Sequence, residues 1–355
     1  MKMQDAETPV RRWELRVATA VAIVGASGYG AAELVRLLSA HPALDVGVVA
    51  SSSAAGQPLR DLHPHLDTDV VVEGVDVDAL GATELVFLAT PHAVSLELAP
   101  RLAAAGAKVV DMSGALRLDA DGFRTWYGEP HPAPELAPAV YGLTEFTRDQ
   151  VRSAQVVANP GCYPTAALLA LLPIAGLIRG AIVVDAKSGT SGAGASPSAA
   201  LHHPRVHGDV AAYGAPVHRH TGEIEDQLGR LGDHHEPISF TPHLLPMARG
   251  LLATCYAQLR PEVGPEGIAA TYRARYDDEP FVRALEPGVF AHTGWTTGSN
   301  ACVIGHVVDE RTQRVVVTSV IDNLGKGAAG QAIQNANLML GLDEGAGLSA
   351  TGVAP

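Results

Sequence analysis

Between residues 17 and 50 the chain changes hydrophobic period twice, and no other feature constrains its fold as tightly. Residues 17–24, apolar except for Thr19, read as a strand. Gly25-Ala26-Ser27-Gly28-Tyr29-Gly30-Ala31 is a glycine-rich turn, residues 32–40 read as a helix that His41-Pro42 ends, and residues 44–50 form a second strand. Parallel strands need a crossover of this length, and such crossovers are right-handed. The pattern recurs in a strand at 85–89 running into Thr90-Pro91-His92, a helix through Leu102 and a short strand at 108–111. This alternation predicts an α/β protein whose N-terminal part is a doubly wound parallel sheet covered by helices. Scarce aromatics (5%) beside plentiful Ala, Val, Leu and Gly suit strands buried on both faces.

Beyond residue 160 the reading changes. A strand at 181–186 feeds a Gly- and Ser-rich loop at 188–198, and strand candidates follow at 238–240, 251–259, 301–308 and 315–321. These predict an α+β lobe with a mixed or antiparallel sheet. Residues 327–340 read as a helix losing order near Gly341. The organisation expected is a polar extension at 1–16, a nucleotide-binding lobe at 17–160, a catalytic lobe at 161–322, a C-terminal helix at 323–341 and a tail without elements at 342–355.

The segment Ala158-Asn159-Pro160-Gly161-Cys162-Tyr163-Pro164-Thr165 places one thiol at a sharp turn before the apolar run 166–172. Pro164 suits a first helical turn, where its missing N–H costs nothing. Cys162 then sits among the open donors of a helix N-terminus, which favour thiolate over thiol. A thiolate can attack a carbonyl and hold the substrate as a thioester; a buried cysteine packing as a small hydrophobe is the competing reading. His218-Arg219-His220-Thr221-Gly222-Glu223-Ile224 sets two imidazoles and a guanidinium beside a helix start. Histidine titrates where a proton acceptor and donor must. The sequence does not choose between them; His218 is taken first and His220 second.

Gly25-x-x-Gly28-x-x-Ala31 at the first strand–helix junction is a candidate phosphate cradle, with Gly25, Ser27, Gly28 and Tyr29 as candidate cofactor contacts. The second strand ends in Ser51-Ser52-Ser53, where an NAD-selective site carries an acid. Neutral hydroxyls accept a 2′-phosphate without repulsion, which predicts NADP.

A net charge of −13 and the lack of a basic stripe argue against a nucleic-acid partner. Three well-separated cysteines (Cys162, Cys255, Cys302) form neither a disulfide framework nor a zinc pattern, and point to a reducing cytoplasm. The N-terminus lacks a signal-peptide core, and no apolar run is long enough to span a membrane. Fifteen histidines raise the possibility of a metal, but no ligand spacing supports one, and no G-x-S-x-G elbow supports a serine hydrolase.

Taken together, several segments resemble the N-acetyl-γ-glutamyl-phosphate reductase family of arginine biosynthesis. They are Gly25-Ala26-Ser27-Gly28-Tyr29, Asp111-Met112-Ser113-Gly114-Ala115-Leu116-Arg117-Leu118, Tyr141-Gly142-Leu143-Thr144-Glu145, Asn159-Pro160-Gly161-Cys162-Tyr163-Pro164-Thr165 and Lys187-Ser188-Gly189-Thr190-Ser191-Gly192-Ala193-Gly194, followed by His218-Arg219-His220, Pro242-His243-Leu244-Leu245-Pro246-Met247-Ala248-Arg249-Gly250 and Ile321-Asp322-Asn323-Leu324-Gly325-Lys326-Gly327. The resemblance spans residues 19–340 in collinear order.

It implies a Rossmann-like first lobe, a catalytic and oligomerising lobe of the aspartate-semialdehyde and glyceraldehyde-phosphate dehydrogenase type, and a C-terminal helix returning to the first lobe. It also implies NADP and a homo-oligomer, a tetramer or a dimer. Under it Cys162 is the nucleophile and the His218-Arg219-His220 segment supplies the acid/base. Asn323 and its neighbours, Gly325 among them, approach the nicotinamide end, and Ser113 and Asn159 bond to substrate oxygens. Arg117, Arg249 and Lys187 are candidates for the carboxylate and phosphate of a small acyl phosphate substrate. Three positions depart from the family: Ala31 for a third glycine, Ala195 for an arginine after Gly194, and Ser52 for an arginine carried by many members. The rival readings are a reductase of aspartyl phosphate or of the aminoadipyl derivative of lysine synthesis, and a non-catalytic nucleotide-binding regulator.

Overall fold

The first lobe is one parallel sheet, in a computed structural model that describes residues 18–353. The polar extension read at 1–16, together with Val17 and the last two residues of the tail, lies outside the described residues. The strands are β1 (Thr19–Val24), β2 (Leu44–Ala50), β3 (Leu85–Leu88), β4 (Lys108–Asp111), β5 (Val140–Tyr141) and β6 (Val156–Ala158), ordered β2-β1-β3-β4-β6-β5 with every pair parallel. The order reverses direction between β1 and β3, so the crevice for a ligand opens beyond their C-terminal ends. The helix after β1 runs Tyr29–Leu38, starting inside the glycine turn rather than at Ala32. Gly28 serves as its N-cap, which is why the turn and the helix cannot be separated.

The second lobe is a mixed sheet of β7 (Ile178–Gly189), β8 (Ala211–Ala212), β9 (Ile238–Leu245), β10 (Leu251–Leu259), β11 (Val282–Ala284), β12 (Cys302–Asp309) and β13 (Arg314–Ile321). Its order is β11-β12-β13-β10-β7-β9-β8, with β7/β9 and β11/β12 parallel. The strand expected at 181–186 and the one at 238–240 both run longer, because each gains a partner along its whole length. One face carries the helix Cys162–Leu171, which is apolar all round and buried all round, and the helices His220–Gly232 and Pro265–Tyr276. The other face presents the alternate residues of the same strands, and there Val183 is 43% exposed and Tyr256 37%.

Three features join the lobes. Residues Gly325–Ala329 form a π-helical turn that continues into the helix Gly330–Met339, whose residues are all buried and whose apolar side pads the first-lobe core. Inside that turn Lys326 is fully buried, its Nζ bonded to Glu145 Oε1 at 2.5 Å and to Gln334 Oε1 at 2.7 Å. Arg249 of the second lobe grips Glu33 of the first at 2.6 Å and Asp322 at 2.9 Å. The tail holds no helix or strand over 342–353, yet it is packed. Leu342 and Leu348 lie against the first-lobe core, and Ser349 O and Val353 N bond to Asn300 N and Thr297 O of the second lobe.

Candidate active site

Cys162 is the first residue of its helix, with Gly161 in extended conformation as N-cap. Thr165 N and Oγ1 both donate to Gly161 O at 2.9 Å, which closes the first turn around Pro164. The thiol faces a cleft of about 390 Å³ also lined by Ser113, Arg117, Ser188, Tyr213, His218, Arg219 and His220. Behind it sits a buried carboxylate. Glu223 accepts from Arg117 Nη1 at 3.0 Å, from Tyr141 OH at 2.8 Å and from Gly161 N at 2.8 Å. Arg117 also donates to Asn159 O at 2.9 Å and Met112 O at 3.0 Å, so its donors are largely committed. Glu223 thereby ties the Cys162 turn, Arg117 and the His220 helix into one unit. The residue was visible in the histidine motif, but its partners are far away in sequence, and it received no role there.

Gly161 is needed for space. A Cβ there would come within 2.6 Å of His220 Nε2 and 2.8 Å of Arg117 Nη1. His220 therefore stands beside the turn that carries Cys162, and its Nδ1 is buried without a partner among the described residues. His218 packs against it, ring centroids 4.8 Å apart, and its Nδ1 accepts the His220 N–H at 3.2 Å. That bond leaves the proton of neutral His218 on Nε2.

The electrostatics correct the expectation of a pre-formed thiolate. Burial pushes the Cys162 thiol up to about 11, although the Tyr163 N–H at the helix start and the Arg117 charge pull the other way. Burial also pushes the His218 imidazolium down to about 4, helped by Arg219. His220 is lowered well below the ordinary histidine value by burial first and by the charges of His218, Arg117 and Arg219 after it. The resting arrangement is a neutral thiol beside neutral imidazoles.

Not every candidate reaches this cleft. Ser113 does, its Oγ donating to buried Asp111 at 3.0 Å. Asn159 lies beneath, its amide spent on Ala328 O and Asn335 Nδ2. Lys187 is excluded by strand geometry: its neighbour Ser188 faces the cleft, so Lys187 projects to the opposite face, where it pairs with Asp185 at 2.7 Å. Arg249 is likewise absent from the cleft, being held in the interlobe clasp with Glu33 and Asp322. Asn323 stands nearer, its side chain bonded to Gly250 N and Ser191 Oγ, while Gly325 is buried against Ser299.

The turn 25–29 fits a dinucleotide pyrophosphate. Gly25 has φ +110°, and a Cβ there would collide with the Ala89 carbonyl at the end of β3. The Tyr29–Leu38 helix has no side-chain cap and no acid in its first turn, which leaves its N-terminal donors open to an anion. Ser27 and Tyr29 are the exposed members of that turn. Tyr29 lines a hollow of about 570 Å³ with Ser191, Ala195 and Arg249, and this is where an arginine at 195 would have entered. At the end of β2, Ser51 is buried with its Oγ 3.3 Å from Ser53 Oγ, and exposed Ser52 faces a hollow shared with Asp76, Asp78, Glu97 and Arg101.

Known families match both lobes of this chain. Residues 20–154 match the family profile described as semialdehyde dehydrogenase, NAD binding domain, and residues 162–323 match semialdehyde dehydrogenase, dimerisation domain. The N-acetyl-gamma-glutamyl-phosphate reductase of Brevibacillus brevis is 46% identical over 346 residues, spanning 94% of this chain and 99% of its own length. That of Geobacillus kaustophilus is 47% identical over 342 residues, with the same two coverages. Among solved structures, aspartate semialdehyde dehydrogenase II of Vibrio cholerae complexed with ASA matches with TM-score 0.70 at 16% identity, over 91% of this chain and 98% of that one. Aspartate semialdehyde dehydrogenase with NADP from Candida albicans matches with TM-score 0.64 at 15% identity, with the same coverages.

Proposed function

Because this chain belongs to the N-acetyl-gamma-glutamyl-phosphate reductase family, we propose that the Cys162 cleft turns N-acetyl-L-glutamyl 5-phosphate into N-acetyl-L-glutamate 5-semialdehyde, with NADP as cofactor. The step belongs to arginine biosynthesis. Aspartyl phosphate and the aminoadipyl derivative are not favoured, since the relatives at 46–47% identity carry the acetylglutamyl name.

Cys162 Sγ attacks the γ-acyl carbon while His220, whose Nε2 lies beside the Gly161–Cys162 turn, takes the thiol proton. The carbon–oxygen bond to phosphate breaks, leaving a thioester on Cys162. NADPH held at the Gly25–Tyr29 turn would supply the hydride for its reduction. The oxygen of the reduced carbon is met by the His218 Nε2–H, and the proton it needs returns from the imidazolium formed in the first step. Breaking the carbon–sulfur bond then frees the aldehyde and the cysteine. Glu223 and Arg117 keep the turn, the arginine and the histidine helix in register throughout.

The observation that carries this reading is the single cleft holding Cys162 at a helix start beside His218 and His220. Acyl-enzyme trapping tests it: incubation with N-acetylglutamyl phosphate without cofactor should add an N-acetylglutamyl group to Cys162 by mass spectrometry. Cys162→Ser should lose at least about 10³-fold in turnover, in keeping with loss of a covalent nucleophile. A variant that keeps wild-type turnover would refute the thioester route.

We further infer that copies associate through the exposed part of the second sheet's face opposite its helices, around Val183 and Tyr256, which lies within the part matching a dimerisation domain. Three unpaired thiols, one of them the working group, suit the reducing cytoplasm. No helix of the described residues is long and apolar enough to cross a membrane.

A further inference from the structure

The wall of the Cys162 cleft carries two arginines and three histidines and no Asp or Glu. That is notable in a chain with 38 acidic residues against 25 basic ones. A cleft so lined offers an anion N–H donors and no competing carboxylate on its wall. Of its two arginines, Arg117 is committed to Glu223 and two backbone carbonyls. The Arg219 side chain makes no hydrogen bond or ion pair among the described residues and is exposed at the rim.

Arg219 is nevertheless held in place. Its Cζ lies 4.9 Å over the centroid of the Tyr127 ring. That ring is fixed in turn, its OH donating to Gly114 O at 3.0 Å and its face stacked on buried Phe123 at 4.3 Å. A guanidinium resting on an aromatic face keeps its N–H edge free for a planar, bidentate anion.

We propose that Arg219 binds the α-carboxylate of the substrate and thereby selects acyl phosphates and aldehydes that bear one. The proposal rests on the reductase reading above. Arg117 lies against Gly161, directly behind Cys162, and so belongs to the reacting end. Arg219 stands on the rim, where the far end of the substrate lies once its δ-carbon reaches the sulfur. In N-acetylglutamate semialdehyde a three-carbon stretch separates that carbon from the carboxylate, and 4-acetamidobutanal is the same molecule without the carboxylate.

The test is phosphate-dependent NADP reduction by the full-length enzyme, with N-acetylglutamate semialdehyde, 4-acetamidobutanal and inorganic phosphate varied separately. For Arg219→Met, the KM for N-acetylglutamate semialdehyde should rise about 10–100-fold, the range for a lost charge-assisted bond. The preference for this aldehyde over 4-acetamidobutanal should fall by a similar factor, while the KM for phosphate moves far less. Arg219→Lys should recover part of the preference, since it restores the charge without the bidentate fork. An unchanged preference in Arg219→Met would overturn the assignment, as would a KM rise confined to phosphate. If the wild-type enzyme oxidises neither aldehyde, the reductase reading itself falls, which is a different result.

Discussion

At Cys162 two opposed effects act on one proton. Open N–H groups at a helix start stabilise a thiolate, and removal from water destabilises it. The first was legible in the turn before Pro164; the second depends on how deeply the surrounding lobes bury the site, and it prevails. The free enzyme should therefore show no thiolate plateau near neutrality. Labelling of Cys162 by iodoacetamide should accelerate about tenfold per pH unit from pH 7 to 10, because the raised value of about 11 keeps the thiolate a rising minor fraction throughout. Cys255 and Cys302 are fully buried and should stay unlabelled. A plateau below pH 8, read by mass spectrometry of the labelled peptide, would restore the pre-formed thiolate. The histidine motif was equally legible, but the ordering of its two rings was not. Only the fold shows that His220 adjoins the Cys162 turn while His218 accepts a bond from its backbone.

Among the elements, the helix Tyr29–Leu38 does more than present an uncapped N-terminus. Glu33 on its inner side joins Arg249 and, through it, Asp322 of the other lobe. Burial alone would raise the Glu33 carboxyl, but the Arg36 and Arg249 guanidiniums outweigh it and hold the group at about 2, below the ordinary 4.5. The clasp therefore adds stability that is complete above about pH 4.5 and is lost as pH falls toward 2. Arg249→Met should cost about 2–4 kcal/mol at pH 7, somewhat below the figure for a fully buried pair because the guanidinium is 26% exposed. Denaturant titrations at pH 7 and pH 3 should show the difference shrinking in acid. Unchanged stability together with a raised substrate KM would instead return Arg249 to the substrate.

At the level of the whole molecule, the second sheet carries its helices on one side, and Val183 and Tyr256 stand exposed on the other, at the surface proposed above for association. Val183→Asp combined with Tyr256→Asp should shift the protein to monomers at micromolar concentration in sedimentation velocity, each copy remaining folded. A wild-type protein that sediments as a monomer would remove the basis for this surface. The architecture was largely readable in advance, because hydrophobic period is a short-range property: the strands at 44–50, 108–111 and 251–259 have the bounds that the pattern predicts. The glycine turn, the thiol before Pro164 and the paired histidines belong to the same class, each written within a few neighbouring residues. Tertiary structure decided everything that depends on a distant partner or on distance from water. Arg117 and Glu223 are 106 positions apart, and Arg249 and Glu33 are 216 apart. Which arginine is consumed by a carboxylate, which is free to meet a substrate, and whether a thiol keeps its proton all follow from charges and solvent arranged in three dimensions, which no local pattern encodes.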